Sequence, residues 1–387
     1  MTRSAIKSFI FGAAAAAALV APVRAATVIL HDIGGAAQVT GTPAEMGFKI
    51  AAKYWESVLT NNAAIELNVG YGGLPPGVLG STGATLAQFV PIIDYYDALN
   101  LTKTSALDLM AVATLSPLNG NFGVSALVPS YLDPAAKTGI NVGGGTRLAP
   151  DNAINSTLAL TTANLKAFGV NLGSSFIDGT IQFSNQLPFD FNPLDGIQAG
   201  TADFIGVAIH EIGHALGFVS GADDFDYADG ATGAVDDAWW AYGLDMFRYS
   251  APGQLNWAPN QPSYFSVDGG VTPLAGGYFS TGENTGDGNQ ASHWKQPDQA
   301  TPCDGFLGVM NPYICGGKMD SVTALDLAAL DAIGWNVSVD VLANADYEIT
   351  TAQIYQQFHV PEPTTSSVAL LALCAAGLAM RRRRQRG

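Results

Sequence analysis

The sequence predicts an α+β fold with a mixed sheet, arranged as two lobes. A helical pattern comes first, alternating strand patterns follow, and a buried helix then spans roughly residues 204–216. The chain has 44 glycines and only 13% charged residues, which favours a body with many turns over one made of long helices. About 330 residues lie between its two unusual ends, and that length can bury a two-lobed core.

The first elements can be placed from local signals. Thr27–His31 is predicted to form a short strand, and Thr42–Leu59 a helix with apolar residues at helical spacing. The helix starts with Thr42, a proline and, three residues on, Glu45, which is the pattern of a capping box with proline at the first helical position.

Four later segments complete the coarse assignment. Ala64–Tyr71 alternates apolar and polar residues and is predicted to be a strand. Ala98–Leu115 is predicted to be a second helix, and Thr180–Phe183 a short strand. Ser321–Trp335 is an amphipathic segment that favours a last helix.

The buried helix carries the most informative motif, because residues 210–218 read HEIGHALGF. His210 and His214 are four residues apart, so both imidazoles leave one face of a helix and can bind one metal ion. Glu211 lies on the rim of that face, where its carboxylate can reach a metal-bound water. This is the HExxH arrangement of zinc peptidases, in which two histidines bind zinc and the glutamate is the general base.

The residues around the motif strengthen this interpretation. Apolar side chains surround most of the helix, and a buried helix carries a stripe of His, Glu and His only at a cost unless each finds a polar partner or a metal. Gly217 then supplies the residue at which the helix can stop and turn. The pattern HExxHxxG resembles the metzincin clan of zinc peptidases.

Catalytic zinc usually takes three protein ligands and leaves one position for water. Most metzincins place the third ligand three residues after the glycine, where this chain has Ser220, a poor zinc ligand. No glutamate occurs between Glu211 and Glu283, so a glutamate ligand on a following helix is excluded as well.

Elimination leaves His293 as the third ligand. His31 lies at the start of the mature chain, and His359 adjoins the C-terminal tail. If His293 is instead a histidine of a surface loop, Asp223 or Asp224 is the alternative ligand.

The residues after His293 have a specific order. Trp294 follows it directly, Met310 comes next in the sequence GVMNP, and the amphipathic segment closes the body. This order resembles the leishmanolysin branch of metzincins, which implies that His293 is the third zinc ligand and that Met310 is the Met-turn residue packing beneath the metal. The separation of His214 and His293 departs somewhat from that family. Tyr313 follows Met310 by three residues instead of the two expected of related tyrosines, so we assign it no role.

Both ends of the chain look like sorting signals. Residues 1–25 have the basic start, apolar run and small residues of a signal peptide. Residues 360–387 contain VPEP, 13 apolar residues over Val368–Met380 and four arginines. As a helix, that apolar run spans about 20 Å, short of a bilayer core of about 30 Å. The tail resembles the PEP-CTERM sorting tail of Gram-negative bacteria, which implies recognition by an exosortase and removal near the cell surface. A plain membrane anchor is the alternative.

These boundaries define the expected organisation. Residues 26–345 form the predicted zinc metalloprotease domain, with an N-lobe over 26–220 and an insertion and C-lobe over 221–345, and residues 346–359 form a linker. Without its two ends the body carries nine Lys and Arg against 32 Asp and Glu, a net charge near −23. Such a body repels nucleic acid and anionic membranes.

Cysteines and acidic residues suggest two further features. Cys303 and Cys315 bracket Met310, and an oxidising compartment favours a disulfide between them, while Cys374 belongs to the tail. The segment 221–292 is rich in Asp, Gly and aromatic residues. Its run from Asp224 to Gly230, with Asp226 and Asp229, resembles a calcium loop but lacks the closing glutamate, so a structural Ca²⁺ competes with a solvated acidic loop.

The sequence therefore predicts a secreted zinc endopeptidase that acts on protein or peptide substrates. Zinc on His210, His214 and His293 would activate a water molecule, with Glu211 as general base. The resemblance also implies an edge strand in the N-terminal lobe that pairs with an extended substrate. The rival hypothesis is a non-catalytic surface or matrix protein on the same scaffold, and the intact Glu211 argues against it.

Overall fold

A computed structural model describes residues 25–235, 239–296, 303 and 305–359. Residues 1–24 of the predicted signal peptide and the tail from residue 360 lie outside the described residues. The helices are α1 Pro43–Val58, α2 Ile92–Thr102, α3 Ala106–Ala113, α4 Ala153–Ser156, α5 Thr162–Ala167, α6 Phe204–Leu216, α7 Gly221–Tyr227, α8 Ala324–Ala332 and α9 Thr351–Phe358.

The strands are short and spread over the whole body. They are β1 Thr27–Asp32, β2 Ala64–Gly72, β3 Gly80–Ala84, β4 Leu86–Pro91, β5 Ala126–Ser130, β6 Asn141–Leu148, β7 Thr157–Thr161, β8 Gly179–Ser184, β9 Phe189–Asp190, β10 Ala202–Asp203, β11 Ala241–Tyr242, β12 Arg248–Ala251, β13 Gln254–Asn256, β14 Ser263–Phe265, β15 Tyr278–Phe279, β16 Ser321–Thr323 and β17 Glu348–Thr350. The predicted mixed α+β class is confirmed.

The sheet nearest the candidate site has four strands in the order β1-β2-β8-β3. β1, β2 and β8 run parallel to one another, and β3 runs antiparallel along the edge next to β8. The predicted strands at Thr27–His31, Ala64–Tyr71 and Thr180–Phe183 are confirmed to within a residue or two at each end. β3 was not predicted, since its five residues, GSTGA, lack an apolar alternation.

Helices α1 and α6 pack together under this sheet. The rings of Phe48, Phe183 and Phe204 meet with centroids 4.8–5.2 Å apart. A Cβ atom on Gly47 would lie 2.3 Å from the Phe204 ring, so glycine is what lets the two helices approach here. The Trp55 indole donates a hydrogen bond of 3.1 Å to the Ile209 carbonyl, which ties α1 to the helix that carries the motif.

The predicted helix over Thr42–Leu59 is confirmed as α1, but its capping box is wrong. The Thr42 side chain accepts no hydrogen bond from the helix. Its hydroxyl donates to the Val39 carbonyl instead, and the Glu45 carboxylate accepts from the Gly41 amide. The Thr42 and Glu45 side chains therefore bond to the preceding turn and do not form the predicted capping box.

The single helix predicted over Ala98–Leu115 is also wrong, because the structure divides it into α2 and α3. Ser105 starts the second helix with a true capping box: its hydroxyl accepts from the Asp108 amide, and the Asp108 carboxylate accepts from the Ser105 amide. The apolar periodicity continues across the break, so the pattern alone joined two helices.

The acidic insertion is folded into the rest of the body. Its strands β12 to β15 belong to a six-stranded sheet in the order β15-β14-β12-β13-β5-β6, in which β13 pairs with β5 from the N-terminal half. The expected lobe boundary at residue 220 therefore does not separate the sheets. Smaller sheets join β11-β7-β4, β10-β9 and β16-β17.

The segment 346–359, expected to be a linker, is structured. It contains β17, which pairs with β16, and α9, whose Thr351 and Ile354 are fully buried. Burial of these side chains makes the segment part of the body, in contrast to an exposed polar linker.

Within the described part of the chain, no single helix is long and apolar enough to cross a membrane. Helices α6 and α7 meet that test only as a pair bent by 95°.

Candidate metal centre

Helix α6 presents the motif because its two ends are well defined. The Asp203 carboxylate caps the start by accepting from the amides of Ile205 and Gly206. Gly217 ends the helix at a φ of 120°, a backbone conformation that favours glycine. Between these ends, His210 and His214 lie one turn apart, as the spacing predicts.

All three predicted histidines are oriented by backbone carbonyls. The Nδ1 atom of His210 lies 2.7 Å from the Val309 oxygen, that of His214 2.6 Å from the Phe218 oxygen, and that of His293 3.2 Å from the Gln290 oxygen. A carbonyl oxygen only accepts, so each Nδ1 carries the hydrogen and each Nε2 is left with a lone pair.

The three Nε2 atoms meet at one point. His210 and His214 are 3.0 Å apart at these atoms, and each is 3.2 Å from Nε2 of His293. Three acceptors cannot satisfy one another by hydrogen bonding. Tetrahedral zinc at about 2.0–2.1 Å from nitrogen needs ligand atoms about 3.3 Å apart, so the triad fits this ion with small adjustments. When the His, Cys, Asp and Glu side chains of the described residues are compared, these three histidines are the ones close enough together to hold a metal ion.

Burial keeps these imidazoles neutral, as metal ligands must be. It lowers the pKa of His210 to about 4 and, together with the neighbouring His210, that of His214 to about 3. Burial and the two other histidines lower the pKa of His293 well below its usual range. Protonation of such a cluster is costly, whereas a metal ion can use all three lone pairs.

Met310 lies beneath the triad. A Cβ atom on Gly213 would be 2.6 Å from the Met310 sulfur, so the thioether packs against the helix between His210 and His214. Met310 is 1% exposed. Its predicted position under the metal ligands agrees with this packing, and Gly213 is the residue that makes room for it.

Asp326 at the start of α8 joins the Met310 segment to the segment that carries His293, a role that sequence analysis missed. Its buried carboxylate accepts from the amides of Val309 and Met310 at 2.9 and 3.2 Å. It also accepts from the Trp294 indole at 2.8 Å. The Met310 segment and the His293–Trp294 segment are therefore held by one side chain.

The alternative ligands Asp223 and Asp224 are engaged elsewhere. Asp223 accepts from the amides of Ala291 and Ser292, just before His293, and Asp224 accepts from the Tyr242 hydroxyl. Burial raises the pKa of Asp223 to about 6 in spite of these bonds. Asp223 thus holds the segment that carries His293 and does not join the triad.

A buried arginine holds the same segment from the other side. Arg248 is 1% exposed and donates to the carbonyls of Ala291 and Ser280. The charges of Asp223 and Asp245 stabilise its guanidinium. No spacing in the sequence connects these residues to His293, and only the packing of the insertion brings them there.

Glu211 faces the same cleft and is held by β3. The Thr82 hydroxyl lies 2.6 Å from Oε2 of Glu211 and 2.9 Å from its carbonyl oxygen. A Cβ atom on Gly80 would be 2.8 Å from Oε1, so the strand passes directly over the carboxylate. Glu211 is 6% exposed, and burial raises its pKa to about 7, in the range that suits a general base.

These groups line a cleft of about 560 Å³. One wall is formed by residues 77–82, which include the start of β3, another by residues 288–290, 292 and 293, and a third by residues 309 and 311–314 with Asp320. Tyr313 is 40% exposed and lines the third wall. The volume is in the range of ligand and substrate sites.

The structure confirms the predicted disulfide but does not support a calcium loop. Cys303 and Cys315 form a disulfide, as predicted, with their Cα atoms 5.7 Å apart. The acidic residues of the calcium-like run turn to different parts of the body: Asp226 accepts from the Asn284 and Thr285 amides, and Asp229 from Val142. Their arrangement gives a calcium site no support.

Residues 359–384 match the PEP-CTERM protein-sorting motif. The match confirms the tail expected from VPEP, the apolar run and the arginines. It indicates export and surface sorting in a Gram-negative bacterium, and it implies recognition by exosortase-type machinery. Searches of curated proteins and of solved structures found no match to the chain.

Proposed function

We propose that this chain is an exported zinc endopeptidase, with zinc on His210, His214 and His293 and with Glu211 as general base. The observation that carries the proposal is the meeting of three imidazole lone pairs within 3.2 Å beside a buried carboxylate. Three acceptors without a donor call for a cation, and neutral imidazole is a preferred ligand of zinc.

The finer assignment to a metzincin-like, leishmanolysin-like peptidase rests on the residues around the triad. Met310 packs beneath the helix at Gly213, and Trp294, which follows the distal histidine, is bonded to the same carboxylate as the Met310 amide. These contacts support the resemblance at the residues that define it.

The chain's own groups suit peptide hydrolysis. A zinc ion on the triad would polarise the scissile carbonyl and the attacking water. Glu211 takes a proton from that water and later delivers it to the leaving amine. The Thr82 hydroxyl donates to Oε2 of Glu211 and so limits the rotation of the carboxylate during both transfers.

The strand over the cleft suits an extended substrate. β3 is paired on one side by β8, and no described strand pairs with its other side. An edge strand offers free backbone groups to a peptide, and five residues of β3 correspond to about 16 Å of extended chain. A substrate held there would run through the cleft past Glu211, which is the geometry of an endopeptidase.

We expect the protein to act at the cell surface or in the medium, after the sorting tail has been removed. The acidic body disfavours binding to nucleic acid or to anionic lipid. The Cys303–Cys315 disulfide is compatible with an oxidising compartment.

The test is peptide hydrolysis by the exported, purified protein, assayed with casein and a quenched peptide library. We expect about one zinc per chain, loss of activity with a chelator and its return with added zinc. Glu211→Gln should keep zinc and lose activity by about 10²–10⁴-fold, because it removes the base and leaves the ligands.

Two results would count against the proposal. A zinc-loaded wild-type protein that cuts no peptide would favour the non-catalytic surface protein. Near-normal turnover in Glu211→Gln would place the general base elsewhere.

A further inference from the structure

One carboxylate in the cleft is not used by the proposed mechanism. Asp320 lines the cleft and packs against Gly206, where an added Cβ atom would lie 2.8 Å from Oδ2 of the aspartate. Gly206 precedes His210 by four residues, about 6 Å along the same face of α6. The Asp320 carboxylate therefore lies one helical turn from the nearest metal-ligand histidine.

Asp320 has no positively charged partner in the part of the chain that the structure describes. Among the described residues that line the cleft there are three carboxylates, on Glu211, Glu283 and Asp320, but no lysine or arginine. The Asp320 side chain accepts one bond, of 3.3 Å, from the Ser321 amide. Burial and the charges of Asp203 and Asp326 raise the pKa of Asp320 well above its usual range. A cation arriving with a substrate would relieve this repulsion.

The cleft that contains Asp320 suits the stem of a long cationic side chain. Val207, Val309 and Ile314 contribute apolar groups to its lining. Lysine and arginine bury their methylene stems against such groups and place the charged end on a carboxylate. An acidic side chain would meet uncompensated negative charge at the same place.

We infer that Asp320 selects substrates with a lysine or arginine side chain beside the scissile bond. The inference rests on the proposed peptidase function and adds a substrate class to it. A buried polar group that pairs with the substrate rejects an analogue without the matching charge, because the group is then left unpaired.

Glu283 provides a matched comparison. It also lines the cleft, but it is exposed and accepts from the Tyr227 hydroxyl, beyond the C-terminal end of α6. Water screens an exposed carboxylate, so its charge discriminates weakly between substrates. Asp320 and Glu283 thus line the same cleft but differ in their exposure to solvent.

The experiment compares peptides that differ only in charge at one position: lysine against norleucine, and arginine against citrulline, on either side of the cleaved bond. We expect kcat/KM of the zinc-loaded protein to be about 10–100-fold higher for the charged peptide. Asp320→Asn, which keeps the shape and the bond from Ser321, should reduce that ratio to within about threefold of one. Glu283→Gln should leave the ratio near its wild-type value.

The outcomes separate the two proposals. If peptides are cut without preference for a basic residue, or if Asp320→Asn keeps the full preference, the role of Asp320 is overturned while the peptidase stands. If no peptide is cut by zinc-loaded protein, the peptidase proposal fails and the role of Asp320 falls with it. Thermal unfolding of Asp320→Asn, together with its zinc content, shows whether a lost ratio reflects a lost fold.

Discussion

The two parts of the histidine triad are built in different ways. His210 and His214 share one helix, so a spacing of four residues is enough to bring them together. His293 lies 79 residues beyond His214 and reaches the same point through Asp223, Arg248 and Asp326, which hold the backbone around it. The comparison shows that a histidine cluster can combine residues set by local geometry with one that depends on the packing of a large insertion.

The largest expected effect tests whether both parts hold the metal. His210→Ala and His293→Ala should each weaken zinc binding by more than about 100-fold, because each removes a ligand. Loss of a residue that only orients a ligand typically weakens metal binding by about 10–100-fold. Zinc content after dialysis and competition with a chelator measure this.

His31→Ala is the control, because His31 pairs with Glu66 on β2 and is not part of the triad. If His293→Ala keeps its zinc while Asp223→Ala loses it, the distal ligand is an aspartate and the comparison with leishmanolysin-like enzymes fails.

The next effect concerns the side chain that connects the Met310 segment to the segment that carries His293. Asp326→Asn replaces a carboxylate that accepts from four N–H groups with an amide that has one accepting oxygen. We expect a loss of about 2–3 kcal/mol in the free energy of unfolding, and zinc binding about 10-fold weaker.

Asp331→Asn on the same helix is the matched control, since Asp331 accepts from Ser105 and does not contact the triad. Equal effects of the two variants on zinc affinity would show that Asp326 acts only through general stability.

A smaller effect tests the contact between β3 and the motif. Thr82→Val removes the hydroxyl that bonds Glu211 and keeps the shape of the side chain. We expect kcat to fall roughly 10-fold, the value of one hydrogen bond to a charged group, with KM and zinc content little changed. Thr82→Ser should restore kcat. A fall in KM or zinc content without a change in kcat would contradict this positioning role.

The smallest effect on zinc binding and activity is expected from a carboxyl group remote from the triad, where the readout is the pH dependence of stability. Burial and the charge of Asp108 raise the pKa of Asp331 to about 8. A raised pKa means that the stabilisation is present below the pKa of the unfolded chain, about 3.8, and is lost as pH rises through about 8. Between pH 5 and 8, wild-type protein should therefore lose more stability than Asp331→Asn. Chemical denaturation at several pH values measures this. If the free energies of unfolding of the two proteins change in parallel with pH, the raised pKa of Asp331 is refuted.

The sequence predicted much of the local structure and the close approach of three histidines, for a physical reason. His210, Glu211 and His214 follow from helical spacing, and the structure brings His293 to them as elimination and the order of motifs suggested. Strand ends and α1 were also predicted well, because their apolar patterns have a clear period.

What could not be predicted depends on contacts between distant segments. Thr82 lies on a strand of small residues without a period, yet it bonds Glu211 across 129 positions. In the sequence, Asp326 is only one acidic residue of an amphipathic segment. In the structure its carboxylate accepts hydrogen bonds from the Trp294 indole and the Met310 amide. The break between α2 and α3 was missed because Ser105 interrupts the helix without interrupting its apolar period.

The Cys303–Cys315 disulfide makes the structure of the cleft depend on the compartment in which the protein lies. It closes a 12-residue span containing Val309, whose carbonyl orients His210, and Met310, which supports the helix. Thiols stay reduced in the cytosol and are oxidised after export. The third wall of the cleft is therefore covalently closed only once the chain has left the cytosol. On the proposed function, the Met310 segment beneath the triad gains its covalent support only after export.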